Sequence, residues 1–379
     1  MIQLFKPYIC DEAKVNVLRV LDSGWIGLGP EVEAFEKEFA SYIGTGYAVA
    51  FNSCTEALRV AVHHLESHNK CHNKLAISTP NTFVSTNHVL LQNGYEILFA
   101  DIDPSTGNMD LDSVERLLSN YHPNLIMAVH YGGQSLDTDR LYKMAGEEGI
   151  EVIEDCAHAC GSTYKKLKVG SWSWLACFSF HAVKNLPTGD GGMLVTYDKW
   201  VVEKAKKLRW LGIDKSTTDR TKGDGYSWEY DVPELGYKSH MNDITAAIGR
   251  AQLRIVDLGN KRRQELVNLY RKGLDGCETV QPLVQSTDSQ SSNHLMVVRC
   301  KNREKVIQSL KENNIQFGCH YKPNYLYPMY QKFERENGCK GMEKFYREAL
   351  TLPMHLFLMD KDVEQICEVI REVGDTCQG

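Results

Sequence analysis

The sequence predicts an α/β protein built on a mostly parallel sheet, followed by a smaller α+β unit. Three observations carry this. Short apolar, β-branched runs recur at residues 47–51, 75–78, 96–102, 125–130, 151–155, 175–180 and 192–195. Helical periodicity, as at 112–118 and 137–148, separates several of them, which is the rhythm of strand–helix–strand crossovers. The chain changes character after Thr196, and its 379 residues exceed what one hydrophobic core usually serves. The expected division is a large domain over 1–255 and a small one over 256–379.

Taken in order, residues 11–22 read as a helix with Val15, Leu18 and Leu21 on one apolar face. The glycines of Ser23-Gly24-Trp25-Ile26-Gly27-Leu28-Gly29-Pro30 break the periodicity. This predicts a folded loop near a ligand or interface, with a packed hydrophobic turn as the alternative. A second helix at 31–43 places Val32, Phe35, Phe39 and Ile43 on one face. After the run at 47–51, Asn52-Ser53-Cys54-Thr55 opens a helix. Small polar residues at a helix N-terminus make either an anion site or an ordinary cap. Beyond 196, a charged amphipathic helix covers 200–211, and the polar stretch 214–231 reads as a mobile loop. Residues 242–270 read as one long helical region, 294–299 as a strand, and 303–313 and 363–373 as helices.

The net charge of −6 provides no general attraction for nucleic acid or an anionic membrane surface. No run of 18 apolar residues suggests a membrane span, and the N-terminal residues lack a signal-peptide pattern. The twelve cysteines have no regular spacing and read as reduced core thiols, which points to a reducing, cytoplasmic compartment. Cys156 and Cys160 flank His158, but this is too little for a zinc site, so no metal is expected.

The chemistry concentrates on two residues. Lys184 follows the apolar run at 175–180 and precedes Gly189-Asp190-Gly191-Gly192. Asp155 ends the run at 151–155, where carboxylates of α/β proteins face ligands. A lysine can hold an aldehyde as a Schiff base, and a carboxylate can keep a pyridine nitrogen protonated. Together they suggest a pyridoxal phosphate enzyme. The ordinary alternatives are a solvated loop lysine and a helix-capping aspartate. Ser179 can reach a phosphate. His158 can lie against the cofactor or be structural, and Phe83 can stack on a ring or belong to the core. His320 and Tyr321 suggest substrate contact rather than metal binding.

An ordered set of motifs then resembles the DegT/DnrJ/EryC1/StrS family of sugar aminotransferases over nearly the whole chain. The set comprises the 23–30 loop, Asn52-Ser53-Cys54-Thr55-Glu56-Ala57-Leu58, Thr79-Pro80-Asn81-Thr82-Phe83 and Glu154-Asp155-Cys156-Ala157-His158-Ala159. It continues through the run from Ser179 to Lys184, Gly189-Asp190-Gly191-Gly192 and Met241-Asn242-Asp243-Ile244. The resemblance implies a type I aspartate-aminotransferase fold with a seven-stranded mixed sheet, and a homodimer with shared active sites. It implies pyridoxal 5'-phosphate as cofactor, Lys184 as its Schiff-base lysine, Asp155 as the partner of the ring nitrogen and Phe83 as the stacking residue. Cys54, Thr55 and Ser179 become phosphate contacts, Asn242 reaches the neighbouring subunit's cofactor, and His158 stands beside the ring. Trp25, Lys238, His240, His320 and Tyr321 become substrate contacts.

The implied reaction moves an amino group from glutamate or glutamine to a keto sugar in two half-reactions, with ping-pong kinetics. A nucleotide-linked 4-keto-6-deoxyhexose fits. GDP, dTDP and UDP forms stay open, as does an eight- or nine-carbon sugar without nucleotide. A dehydratase of the same family would carry histidine at Lys184, and a noncatalytic regulatory relative would keep the fold without the turnover. Two departures bear on the substrate. Lys238, Ser239 and His240 stand where many members carry asparagine, an aromatic residue and arginine. Asn324 and Tyr325 replace a common leucine and histidine, which predicts an altered sugar pocket.

Overall fold

A computed structural model of the chain describes residues 1–68, 73–215 and 229–375. Its central sheet holds β1 (Tyr47–Phe51), β2 (Leu75–Ser78), β3 (Glu96–Phe99), β4 (Leu125–Val129), β5 (Glu151–Asp155), β6 (Leu175–Ser179) and β7 (Gly192–Thr196). Their spatial order is β1-β7-β6-β5-β4-β2-β3. All neighbours pair in parallel except β7, which runs antiparallel to both β1 and β6. The sheet is thus mixed, as expected, and the two-residue strand Glu334–Arg335 adds an eighth member beside β3.

Side-chain alternation explains why the sheet is covered on both faces. Val49 and Phe51 of β1 enter one core, and Ala48 and Ala50 enter another. Leu125 and Met127 of β4 likewise oppose Ile126 and Ala128. Successive residues of a strand point to opposite faces, so near-continuous apolar runs demand helices on both sides.

Edge strand β1 would expose unpaired backbone groups. Two side chains satisfy them at Ala50: Glu36 accepts from its N–H (2.9 Å) and Arg209 donates to its carbonyl (2.8 Å). Arg209 and Glu36 also form a direct buried ion pair. The helix Pro30–Ile43, which supplies Glu36, is therefore locked to the sheet edge.

Val15, Leu18 and Leu21 lie on the helix Asp11–Ser23, and their shared face turns outward: they are 64%, 62% and 48% exposed, whereas Ala13 and Val20 are buried. Periodicity correctly marked an apolar stripe, but it cannot say whether the chain's own core covers it. The 242–270 region is two helices, Asp243–Leu253 and Val256–Gly273, because Ile255 leaves helical geometry at φ −114°, ψ 0°. The helix Asp11–Ser23 packs on Asp243–Leu253. The segment before it bonds to the C-terminal part, through Ile2 with Asn314 and Gln316 and through Leu4 with Met354. That part carries a three-stranded antiparallel sheet of Val280–Pro282, Met296–Cys300 and Ala349–Leu352. Residues 216–228 of the expected loop at 214–231 lie outside the described residues. Its ends pair, Asp214 N–H with the Asp231 carbonyl (3.1 Å) and Asp231 N–H with Asp214 Oδ1 (3.0 Å).

The Glu36–Arg209 lock is testable. Arg209→Ala leaves the buried Glu36 carboxylate with only the half-exposed Lys206 (3.4 Å) as a cationic partner and frees the Ala50 carbonyl, so unfolding in urea is expected to show a loss of roughly 2–3 kcal/mol. A loss below about 1 kcal/mol would show that the pair does not hold β1.

Candidate active site

Because β5 and β6 are parallel and in register, with Asp155 opposite Cys177, their carboxyl ends open at the same sheet edge. There a cavity of about 370 Å³ is lined by Cys54, Thr55, Phe83, Asp155, His158, Ser179, Lys184, His320 and Tyr321, among others. The structure thus brings nine of the sequence-expected residues to one space. Trp25, Lys238, His240 and Asn242 do not line this chain's cavity. Trp25 turns back on its own loop, donating from Nε1 to the Leu28 carbonyl (3.2 Å). Lys238 lies over the Trp210 ring (3.4 Å to its centroid), which His240 meets edge-on at 4.4 Å. Asn242 caps the helix Asp243–Leu253, its Oδ1 accepting from Thr245 N–H (2.8 Å).

At one end of the cavity, the helix Cys54–His68 begins directly behind β1. The amides of its first turn precede the intrahelical ladder and point outward, as a phosphate requires. Ser53 Oγ accepts from Glu56 N–H (3.2 Å), which leaves the amides of Cys54 and Thr55. Gly192 lets β7 pass close behind this turn. A Cβ there would lie 2.4 Å from the Cys54 nitrogen. Ser179 lies at the end of β6, on the same side.

Asp155 is buried, and burial pushes its carboxyl up. Thr86 Oγ1 donates to Oδ2 (2.7 Å) and Ala157 N–H to Oδ1 (3.0 Å). Thr86 has one hydroxyl proton and spends it on Asp155, so Thr82 must donate in their 2.8 Å contact. No cationic side chain among the described residues forms an ion pair with Asp155. A protonated ring nitrogen would supply that missing charge.

Lys184 is brought down to about 8 by burial, against the opposing pull of Asp155 and Cys54. Three histidines near it are kept neutral by burial: His158 and His294 fall well below the usual range, and His320 falls to about 4. His158 Nδ1 accepts from Gly132 N–H (3.2 Å), so its proton sits on Nε2 and is donated to Tyr321 Oη (3.0 Å). Phe83 is 60% exposed and presents an uncovered ring at the cavity. A buried amine, an unpaired buried carboxylate, a helix N-terminus and an open aromatic face together fit pyridoxal phosphate.

Three roles escaped the sequence reading. His294 lies 3.4 Å from Lys184 Nζ and precedes the strand Met296–Cys300, in which the sequence had placed it. Asp243 ties the end of the glycine-rich loop to the helix that follows it: its carboxylate accepts from the Gly29 amide (2.9 Å) and from Glu31 (3.2 Å) and Val32 (3.1 Å) in the first turn of Pro30–Ile43, and its own N–H donates to the Gly27 carbonyl (2.7 Å). The third is that of Glu154, whose neighbours His130 and Cys156 place three potential metal-ligand atoms within 4.8 Å of one another. His130, Tyr142 and Trp172 all donate to this carboxylate, so it reads as the centre of a polar network beneath the site. Asn324 and Tyr325, expected to alter the sugar pocket, are buried away from it. Asn324 instead ties its segment to the 79–83 loop, bonding to the Pro80 and Thr82 carbonyls (3.0 and 2.9 Å) and to Asn87 (2.8 Å).

Burial of Lys184 has a measurable sign. Its amine is protonated below about pH 8 and free above it. Acetic anhydride labelling of the cofactor-free protein, followed by peptide mass spectrometry, is expected to show Lys184 reactivity rising through that pH. A midpoint near the ordinary lysine value would contradict the dry setting described here.

The pattern of the DegT/DnrJ/EryC1/StrS aminotransferase family matches residues 7–371. The spore coat polysaccharide biosynthesis protein SpsC of Bacillus subtilis is 36% identical over 377 residues, covering 97% of this chain and 95% of that one. The UDP-4-amino-4,6-dideoxy-N-acetyl-beta-L-altrosamine transaminase of Helicobacter pylori is 31% identical over 372 residues, covering 96% of each. A solved structure of a sugar aminotransferase described as putative, from Streptococcus pneumoniae in its PMP form, superposes with a TM-score of 0.91. It is 29% identical, with 99% of this chain and 100% of that chain covered. Matched in sequence and in fold across almost its full length, this enzyme belongs to the DegT/DnrJ/EryC1/StrS aminotransferase family.

Proposed function

We propose that the chain transfers an amino group from L-glutamate or L-glutamine to a nucleotide-linked 4-keto-6-deoxyhexose, with pyridoxal 5'-phosphate as its cofactor. The observation that carries this reading is the convergence of Lys184 and Asp155 on one cavity beside a helix N-terminus. The name of the Helicobacter relative supports a UDP-sugar acceptor, and the PMP form of the streptococcal structure supports the cofactor. In this reading the amides of Cys54 and Thr55 and the hydroxyl of Ser179 hold the phosphate. Asp155 holds the ring nitrogen, and Phe83 and His158 flank the ring. When bound, the cofactor supplies an electron sink that lets a neighbouring carbon release a proton.

The protein's own part is to bind, orient and move that proton. Lys184 Nζ takes the α-proton of the donor as a free amine, a state that burial brings within reach of neutral pH. The donors Thr86 and Ala157 favour the ionised form of Asp155 opposite the ring, against the burial that pushes its carboxyl up. His320 and Tyr321, which line the cavity, are the contacts for the sugar.

The proposal includes a homodimer with shared sites. The exposed stripe of Val15, Leu18 and Leu21, extended by Ile26, supplies an apolar face for a second copy. Trp25, Lys238, His240 and Asn242 lie outside their own chain's cavity, and in this reading they serve the neighbouring one. The assigned domains are 1–255 for the cofactor and 256–379 for the small domain, divided at the helix break at Ile255. No helix among the described residues is long and apolar enough to cross a membrane. The ten described cysteines are all free, and eight are buried, which supports a reducing cytoplasmic setting.

An absorbance titration tests the reaction. Protein reconstituted with pyridoxal phosphate is expected to lose the band of lysine-bound cofactor with glutamate or glutamine, and to regain it with one keto sugar of a UDP-, dTDP- and GDP-linked panel. Lys184→Ala should lack the band and all turnover. An unchanged band in the wild type with either donor would remove the transaminase reading. For the dimer, Leu18→Asp is expected to shift the protein toward monomer in sedimentation experiments. A wild-type monomer at micromolar concentration would refute the shared site.

A further inference from the structure

We propose that His294 is the positioning residue for Lys184, an acceptor that holds the amine in place whenever it is not bonded to the cofactor. The catalytic part of this inference rests on the aminotransferase reading; the contact itself does not.

The hydrogen-bond network assigns the tautomer. Asn185 Nδ2 donates to Asn260 Oδ1 (2.7 Å) and to the Ser292 carbonyl (2.8 Å). Both amide protons are spent, so Asn185 Oδ1 faces His294 Nδ1 (3.1 Å) as an acceptor. The Nδ1 of a neutral ring must then carry the proton, and Nε2 presents its lone pair to Lys184 Nζ at 3.4 Å. Asn260 is itself fixed by donating to the Cys160 carbonyl (3.0 Å). A relay of oriented groups thus runs from the chain beyond β5, through Asn260 and Asn185, to the lysine.

The surroundings keep the ring neutral and still. His294 is buried, with Phe5 stacked nearly parallel on it (6.1 Å, 11°) and His158 at 4.4 Å. Burial is the main reason it stays neutral, and the neighbouring cations Lys184 and Arg263 further disfavour an imidazolium. Among the described residues, no carboxylate forms an ion pair or hydrogen bond with His294. A carboxylate in this place would hold Lys184 as an ammonium. A neutral imidazole can anchor the amine without that strong pull toward the charged form. A released lysine has four rotatable bonds to search, and one fixed acceptor narrows that search around the position from which the proton is taken.

Two measurements test the inference. In spectra of ¹⁵N-histidine-labelled, cofactor-free protein, the His294 Nε2 resonance is expected to be that of an unprotonated, hydrogen-bonded nitrogen. It should shift toward a free acceptor in Lys184→Met. A protonated Nε2, or one indifferent to Lys184→Met, would overturn the contact without reference to any reaction. In the holoenzyme, His294→Ala is expected to lower kcat by about 100-fold with KM nearly unchanged. A primary isotope effect should appear with α-deuterated donor, and His294→Gln, which restores an acceptor, should recover part of the rate. A variant that folds and binds cofactor yet keeps wild-type kcat, or one whose loss lies wholly in KM, would refute the positioning role. Failure of the wild type to react with any amino donor would instead count against the aminotransferase reading, and the nitrogen resonance alone would then decide the contact.

Discussion

The site depends on the parallel pairing of β5 with β6. Parallel strands in register release their carboxyl ends at one edge, so the residues that follow them are held close together. Asp155 closes β5, and Lys184 stands five residues beyond the end of β6. The same edge receives the helix that starts at Cys54, because β1 joins the sheet through β7, whose Gly192 leaves space for the turn. Carboxylate, amine and helix N-terminus therefore meet because of topology, although Cys54, Asp155 and Lys184 are far apart in the sequence.

Burial then sets the chemistry. The dry setting that brings Lys184 down to about 8 also keeps His158, His294 and His320 neutral. Neutral rings act as directed acceptors and donors rather than as competing charges. Asp155 is the exception: desolvation opposes its charge, and Thr86 and the Ala157 amide favour it. The polar groups of the site therefore form a small number of oriented contacts, each fixed by a neighbour that is itself fixed.

The exposed surface makes a complementary point. The stripe of Val15, Leu18 and Leu21 has helical spacing but no cover within the chain. Asp243, from a distant helix, fixes the end of the adjoining glycine-rich loop through the Gly29 amide and the Gly27 carbonyl and caps the helix that follows through Glu31 and Val32. The proposed homodimer would bury this apolar, uncovered face.

The amino-acid sequence by itself determined the alternation of strands and helices, because side-chain period follows directly from local apolar spacing. It also marked Lys184 and Asp155, since each ends or follows a buried run, and the ordered motifs made the family legible. Only the tertiary structure decided which apolar face was covered, as the exposed stripe of Val15, Leu18 and Leu21 shows: burial depends on what packs opposite. It also decided that Asn324 is a strut between segments and that His294 meets Lys184, 110 positions away. Contacts between residues so distant in the chain leave no local periodicity to read; they exist only once the sheet has set the distances between its ends.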